Sequence, residues 1–216
     1  MITHAHKTAR LRADLAATGN AAEVGLAKRT SNLFRDRAPK QRPRIDLASF
    51  DDVIRIDAAA GVVEAEGMIS YAALADATLE QGTMPAVVPQ LKSITLGGAV
   101  AGVGIEASSF RHGLVHDTVT ALDVLTADGQ IVRCTPDNDH RDLFFGFPNS
   151  YGTLGYALAV KARLVPVRRY VRVEHRRFSR PPDFFSEIGG ACASGDADFL
   201  DGVVFAPDLL VLSAGR

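Results

Sequence analysis

The sequence predicts an α+β protein, on three observations. Two pairs of β-type runs flank tight turns, Val53–Asp57 with Val62–Glu66 around Ala58–Gly61, and Thr118–Thr126 with Gln130–Thr135 around Ala127–Gly129. Helix-forming stretches with apolar residues at helical spacing lie outside these hairpins. Between them, Ser93–Gly113 places five glycines and four hydroxyl residues in twenty-one positions with almost no charge.

The elements follow in order. His4–Ala17 carries Leu11 and Leu15 one helical turn apart, and Gly19-Asn20 is a stop signal. Glu23–Lys28 reads as a short strand, followed by a polar turn at Arg29–Asn32 and a basic loop ending at Pro43. That loop, with Lys28, Arg29, Arg35, Arg37, Lys40, Arg42 and Arg44, is either a solvated face or an anion site. After the first hairpin, Ser70 is placed to N-cap a helix reaching Gln81, which Gly82 ends. Asp142–Phe147 is a short helix or turn, and Gly155–Val165 is a strand closed by Pro166. Arg168–Pro182 mixes charge with β-branched residues and ends in two prolines, so a domain boundary falls there. A helix at Asp183–Cys192 and two runs, Phe199–Ala206 and Leu209–Leu212, follow. Two strands and a helix do not close a core, so 168–216 reads as the beginning of an incomplete domain.

Composition excludes several classes. A net charge of −1 with interspersed signs leaves no nucleic-acid footprint. No run of about 18 apolar residues occurs, so no integral membrane span is expected and peripheral membrane contact stays open. Two cysteines, Cys134 and Cys192, make no disulfide framework, and a cytoplasmic setting is the default.

Glycine costs helix or strand about 0.5–1 kcal/mol relative to alanine, so the run Ser93–Gly113 implies backbone that turns tightly or approaches something closely. Glycine-turn N–H groups and the hydroxyls of Ser93, Thr95, Ser108 and Ser109 suit a phosphate-bearing ligand; a mobile surface loop is the alternative. Gly102–Ala107 matches G-x-G-x-x-A with Asp123 about twenty residues on, but hairpins on both sides and the break at Ser108-Ser109 oppose a Rossmann site. No phosphate-binding Gly-Lys-Ser/Thr turn and no G-x-S-x-G elbow occurs. Pairings of Ser108 or Cys134 with His112 or His140 lack a third group. No metal site is expected: His4 and His6 read as an exposed N-terminal pair, and a glycine separates His112 from His116. Glu106, in apolar surroundings, is either an acid of raised pKa or a tether for neighbouring backbone.

The strings SITLGG at Ser93–Gly98 and GTLGYALAVKARLVP at Gly152–Pro166, with Pro89 and Gly113, resemble the PCMH-type FAD-binding domain of the vanillyl-alcohol oxidase / p-cresol methylhydroxylase superfamily. Within it, GVGIEASSFRHGLV, LTADGQIVRCTP and DLFFGFPNSYGTLGYALAVKARLVPVRRYV are most similar to Δ24-sterol reductases. The resemblance implies an FAD-binding domain over 1–167, with subdomains of about 1–83 and 84–167, and the start of a substrate or cap domain over 168–216. It places AKRTSNLFR, Ala27–Arg35, where the superfamily has a glycine-rich pyrophosphate turn; Thr30, Ser31 and Asn32 can bend and donate there. No flavin-tethering histidine stands in that string, so non-covalent FAD is implied. The implied cofactor-binding set is Thr30, Ser31, Asn32, Pro89, Ser93, Ile94, Thr95, Gly97, Gly98, Gly102, Gly104, Ser108, Ser109, Gly113, Gly155 and Val160. Ser93–Gly98 would line the pyrophosphate and ribityl chain, Gly104–Gly113 the isoalloxazine, and Gly155–Val160 the adenine side. The implied reaction is reduction of a carbon–carbon double bond in a sterol or other lipid-like alkene, with NADPH as donor and Glu106 or His112 as candidate proton source. Two other readings stand beside it, an oxygen-using FAD oxidase of the same superfamily and an FAD-binding module without turnover.

Overall fold

The computed structural model describes residues 2–18, 25–27 and 44–216. Helix α1, His4–Thr18, opens the chain, and β1, Gly25–Ala27, pairs in parallel with β2, Arg44–Asp46. The hairpin expected between β3, Val53–Asp57, and β4, Val62–Glu66, forms in antiparallel register, with Gly61 at φ 65° completing its turn. Helix α2, Tyr71–Leu79, starts where the sequence put it, the Ser70 side chain accepting a hydrogen bond from the Ala73 N–H. Gly82, at φ 68°, turns the chain after it.

Next comes β5, Thr83–Pro85, a strand the sequence reading passed over. The glycine-rich run is more regular than its composition suggests: it holds α3, Leu96–Gly102, and the single turn α4, Ser109–His112. The second hairpin forms from β6, Val119–Leu125, and β7, Ile131–Cys134. Helix α5, Arg141–Gly146, leads into β8, Tyr156–Pro166.

Strand β8 is the spine of a six-stranded sheet ordered β3-β4-β8-β6-β7, with β5 adding to the far end of β8. All its pairings are antiparallel. On one face α2, α3 and α5 bury a core that includes Val63, Leu74, Leu96, Val100, Leu122 and Val160. On the other, α1 lays Leu11 and Leu15 against Leu47, Phe50, Leu125 and Leu158. Removing that much apolar surface from water is the main force that joins strands so distant in sequence.

The remaining residues build a second sheet, ordered β10-β11-β9, from β9, Val173–Phe178, β10, Phe199–Ala206, and β11, Leu209–Gly215. Helix α6, Pro181–Ser194, packs Phe184 against Leu210 and Leu212. The stretch Arg168–Pro182, where the sequence places a domain boundary, contains the strand β9. Its side chains are mostly exposed on both faces, so the period-2 pattern that marks a half-buried strand is missing from its sequence.

Helix α1 is locked to the sheet by buried charge. Glu66 is fully buried; its carboxylate accepts from Lys7 Nζ at 2.6 Å and from the Asp52 N–H at 2.9 Å, and lies 2.8 Å from His4 Nδ1. Lys7 also reaches Asp52 at 2.7 Å. His4, read from sequence as half of an exposed pair, is instead held in this cluster. Asp51, Asp52 and Glu66 lie close enough together to share a cation. The Lys7 ammonium already bonds Asp52 and Glu66, which explains their proximity.

Candidate functional site

The implied cofactor-binding residues from Ser93 to Gly104 line a wall around α3. Thr95 caps the helix, its Oγ1 accepting from the Gly98 N–H at 3.3 Å. The first turn is then tied down by a chain crossing beneath it: Leu96 N–H donates to Ile69 O at 2.9 Å and Gly97 N–H to Gly67 O at 2.8 Å. A Cβ on Gly97 would stand 2.9 Å from Gly67 O and 3.3 Å from the Ala157 methyl. Gly97 is therefore glycine because the protein's own backbone crosses there.

The same logic governs Gly104, where a Cβ would meet Val115 Cγ2 at 2.7 Å, and Gly113, at φ 79° against the Asp117 carboxylate. That carboxylate accepts from the Leu114 N–H at 2.7 Å. Gly102 differs: the nearest atom to its added Cβ is Tyr151 Cε1 at 3.8 Å. With Ile94 N–H donating to Leu91 O at 3.0 Å, the amides of 94, 96, 97 and 98 are all used inside the protein. The hydroxyls remain. Ser93 is exposed, whereas Ser108 is buried and donates to Ala86 O at 2.8 Å, and Ser109 Oγ accepts from the Glu106 N–H at 2.9 Å.

Beside α3 runs the loop between α5 and β8. Tyr151 N–H donates to Ala101 O at 3.0 Å and its hydroxyl to Gly102 O at 3.3 Å. Asn149 at φ 60°, Tyr151 at φ 50° and Gly155 at φ 132° hold the loop in left-handed backbone, and Val103 at φ 59° faces the same problem at the end of α3. Such strain costs on the order of 1–3 kcal/mol at each non-glycine residue and clusters at ligand sites. Neither Val103 nor Tyr151 is in the implied cofactor-binding set, because neither residue type signals positive φ. The Ser150 hydroxyl between these positions is buried without a partner.

Thr30, Ser31 and Asn32 lie outside the described residues, as does the basic loop up to Pro43. Of the others, Ser93, Ile94, Thr95, Gly97, Gly98, Gly102 and Gly104 come together along α3 and its two ends. Gly155 opens β8, where an added Cβ would collide with Leu125 O. Pro89 and Val160 are buried, Val160 in the main core. The exposed or half-buried strip of Ser93, Ile94, Gly98, Gly102, Val103 and Tyr151 is uncharged and mostly small, flanked by strained backbone and an orphaned hydroxyl. A flat, extended cofactor such as FAD fits that surface.

The two candidate proton carriers sit on the next segment. Glu106 Oε1 accepts from the Gln90 N–H at 2.9 Å, so the carboxylate does tether neighbouring backbone. Burial raises its pKa above the ordinary value; that hydrogen bond works against the rise and the charge of Asp201 adds to it. Burial lowers the His112 pKa, helped by the Arg163 and Arg111 cations. Arg111 itself crosses to the second sheet, pairing with Asp198 and donating to Gly195 O at 3.0 Å. Leu200 N–H closes the same seam on Ala107 O at 2.8 Å.

The FAD binding domain family matches residues 16–135. The chain is 30% identical over 182 residues to the Δ24-sterol reductase of Pisum sativum, covering 80% of this chain and 32% of that protein. It is 32% identical over 178 residues to the Arabidopsis thaliana enzyme of that name, covering 79% of this chain and 32% of that protein. It is also 32% identical over 163 residues to cytokinin dehydrogenase 7 of Oryza sativa subsp. japonica, covering 73% of this chain and 31% of that protein. The chain thus spans about a third of the length of these relatives. With more than half of its residues inside the family match, the chain belongs to the PCMH-type FAD-binding domain family.

Proposed function

We propose that the protein is the flavin-binding part of an FAD-dependent oxidoreductase of the Δ24-sterol reductase kind, acting on a carbon–carbon double bond in a sterol or similar apolar alkene. The observation that carries this reading is the likeness to Δ24-sterol reductases over four-fifths of the chain. Bound FAD would supply the two-electron hydride chemistry such a reduction needs, with NADPH as the proposed donor.

The residues of this chain do the rest. Ser93, Gly98, Gly102 and Tyr151 present the surface that holds the cofactor, with Thr30, Ser31 and Asn32 meeting its phosphates. The strained edge at Val103 and Tyr151 is pre-set for that contact, so little ordering entropy is lost on binding. Glu106 and His112 are the two side chains of the segment able to hold a proton for the second alkene carbon. The organisation we assign is 1–83 and 84–167 as the two halves of the flavin domain, with 168–216 belonging to the substrate domain. Among the described residues no helix is long and apolar enough to cross a membrane, and we infer peripheral contact where the substrate is membrane-dissolved.

The test is the visible spectrum of the purified protein before and after acid precipitation, followed by anaerobic NADPH. Flavin bands that leave with the supernatant and bleach with NADPH are expected. Bands that stay in the pellet overturn the non-covalent assignment. Bands that bleach only with an oxidisable substrate, and recover with oxygen uptake, replace the reductase reading with the oxidase one. A colourless protein that FAD does not reconstitute leaves a module without turnover.

A further inference from the structure

An apolar cavity of about 200 Å³ lies on the seam between the flavin-binding body and the second sheet, with Ser108 of the implied cofactor set in its lining. Its floor is Ala75 and Leu79 of α2, Met84 of β5 and Val88; its roof is Phe199 of β10. Leu79 is half exposed at 50%, so the cavity opens to solvent past a large apolar side chain. Two carboxylates line it, half-buried Glu106 of the body and exposed Asp201 of β10.

No ion pair with a lysine or arginine forms at either acid among the described residues. Glu106 is fixed by the Gln90 N–H through one oxygen, which leaves the other for the cavity. The nearest guanidinium on the seam, that of Arg111, is taken by Asp198. Two uncompensated negative charges on an apolar pocket make it hostile to anions. A neutral apolar guest is also disfavoured, since it would strip water from both carboxylates and return nothing. A cation with an apolar body answers both features, as its hydrocarbon fills the walls and its N–H donors reach both acids.

We propose that the seam cavity binds a small primary ammonium ion carried on a compact apolar group, held between Glu106 and Asp201. An apolar cavity of about 150 Å³ admits benzene, so the volume suits a six-membered ring or a branched chain of similar size. The site draws one carboxylate from the connection between α3 and α4 and one from β10, and its occupant therefore joins the two bodies. The inference does not rest on the redox reading. It does bear on it: a Glu106 ionised against an ammonium holds no proton, which leaves His112 to protonate the alkene.

The probe is cyclohexylammonium, with cyclohexanol as the uncharged analogue, titrated at neutral pH into the full-length protein and followed by calorimetry and amide NMR. The ammonium is expected to bind and to shift amides of residues 75–79, 106–108 and 199–201, with cyclohexanol at least about tenfold weaker. Glu106→Gln and Asp201→Asn should each weaken the ammonium by about tenfold or more. Leu79→Trp, which fills the mouth without touching either charge, should abolish it. Melting curves confirm that each variant is folded. Equal affinity for cyclohexanol, no binding of the ammonium by the folded wild type, or unchanged affinity in a folded Asp201→Asn variant overturns the proposal.

Discussion

Replacing Gly97 and Gly102 by alanine separates two reasons for glycine in one seven-residue helix. At 97 the new methyl would stand 2.9 Å from Gly67 O and 3.3 Å from Ala157 Cβ. Neither neighbour is the free end of a flexible side chain: Gly67 is pinned by its N–H to Leu158 O at 2.9 Å, and Ala157 lies in β8. The backbone must shift, and overpacking of this kind costs about 1–3 kcal/mol. At roughly 2–4 °C per kcal/mol for a chain of this size, Gly97→Ala should lower the melting temperature by roughly 2–12 °C. Gly102→Ala meets nothing closer than 3.8 Å, and alanine gains up to about 1 kcal/mol in a helix, so its melting temperature should hold or rise. Its methyl projects beside Tyr151, on the surface proposed for the cofactor, so the cost should appear in FAD affinity instead. Differential scanning calorimetry and fluorescence titration of apoprotein with FAD measure the two quantities. A Gly97→Ala variant with wild-type melting temperature and lost flavin affinity would refute the internal-packing account.

Lys7→Met strands the Glu66 carboxylate, which keeps only His4 and the Asp52 amide; losing one partner of a buried pair costs about 3–5 kcal/mol, read by urea denaturation. The paired change Lys7→Met with Glu66→Leu should recover much of that loss, and failure to do so would show that the cluster orders α1 by more than charge. The raised pKa of Glu106 means that the fold binds its proton more tightly than the unfolded chain does. Its stabilising contribution is complete below the unfolded value of about 4.3 and disappears as pH rises through the folded value. Glu106→Gln, which keeps the acceptor for Gln90, should therefore melt higher than wild type at pH about 8 and lose that advantage near pH about 4. An advantage independent of pH would show that burial of the charge is not its source.

Much of the local structure was legible because single residues carry it. Ser70 before an apolar run, a left-handed Gly82 after it, and glycine turns between β-branched runs act within a few residues, so α2 and both hairpins follow from neighbours in sequence. The likeness of SITLGG and GTLGYALAVKARLVP to an FAD-binding family was likewise readable as strings. What was not readable was why the glycines are there. Gly97 and Gly104 look like openings for a ligand, yet each lies against the protein itself, Gly97 under a crossing at Gly67 and Gly104 against Val115. Strand β5 was missed because three residues carry no period, and it exists through its register with Leu164–Pro166.

The sequence by itself determined the α+β class, the main helices and turns, and the family. Those depend on backbone preferences and on motifs whose parts are adjacent. The tertiary structure alone decided that β8 would be the shared spine, that Lys7 would neutralise Glu66 across the chain, that Val103 and Tyr151 would be strained side by side, and that Glu106 would face Asp201 across a seam. Each of these joins residues far apart in sequence, and such contacts are set by which apolar faces bury together and which charges are carried in with them.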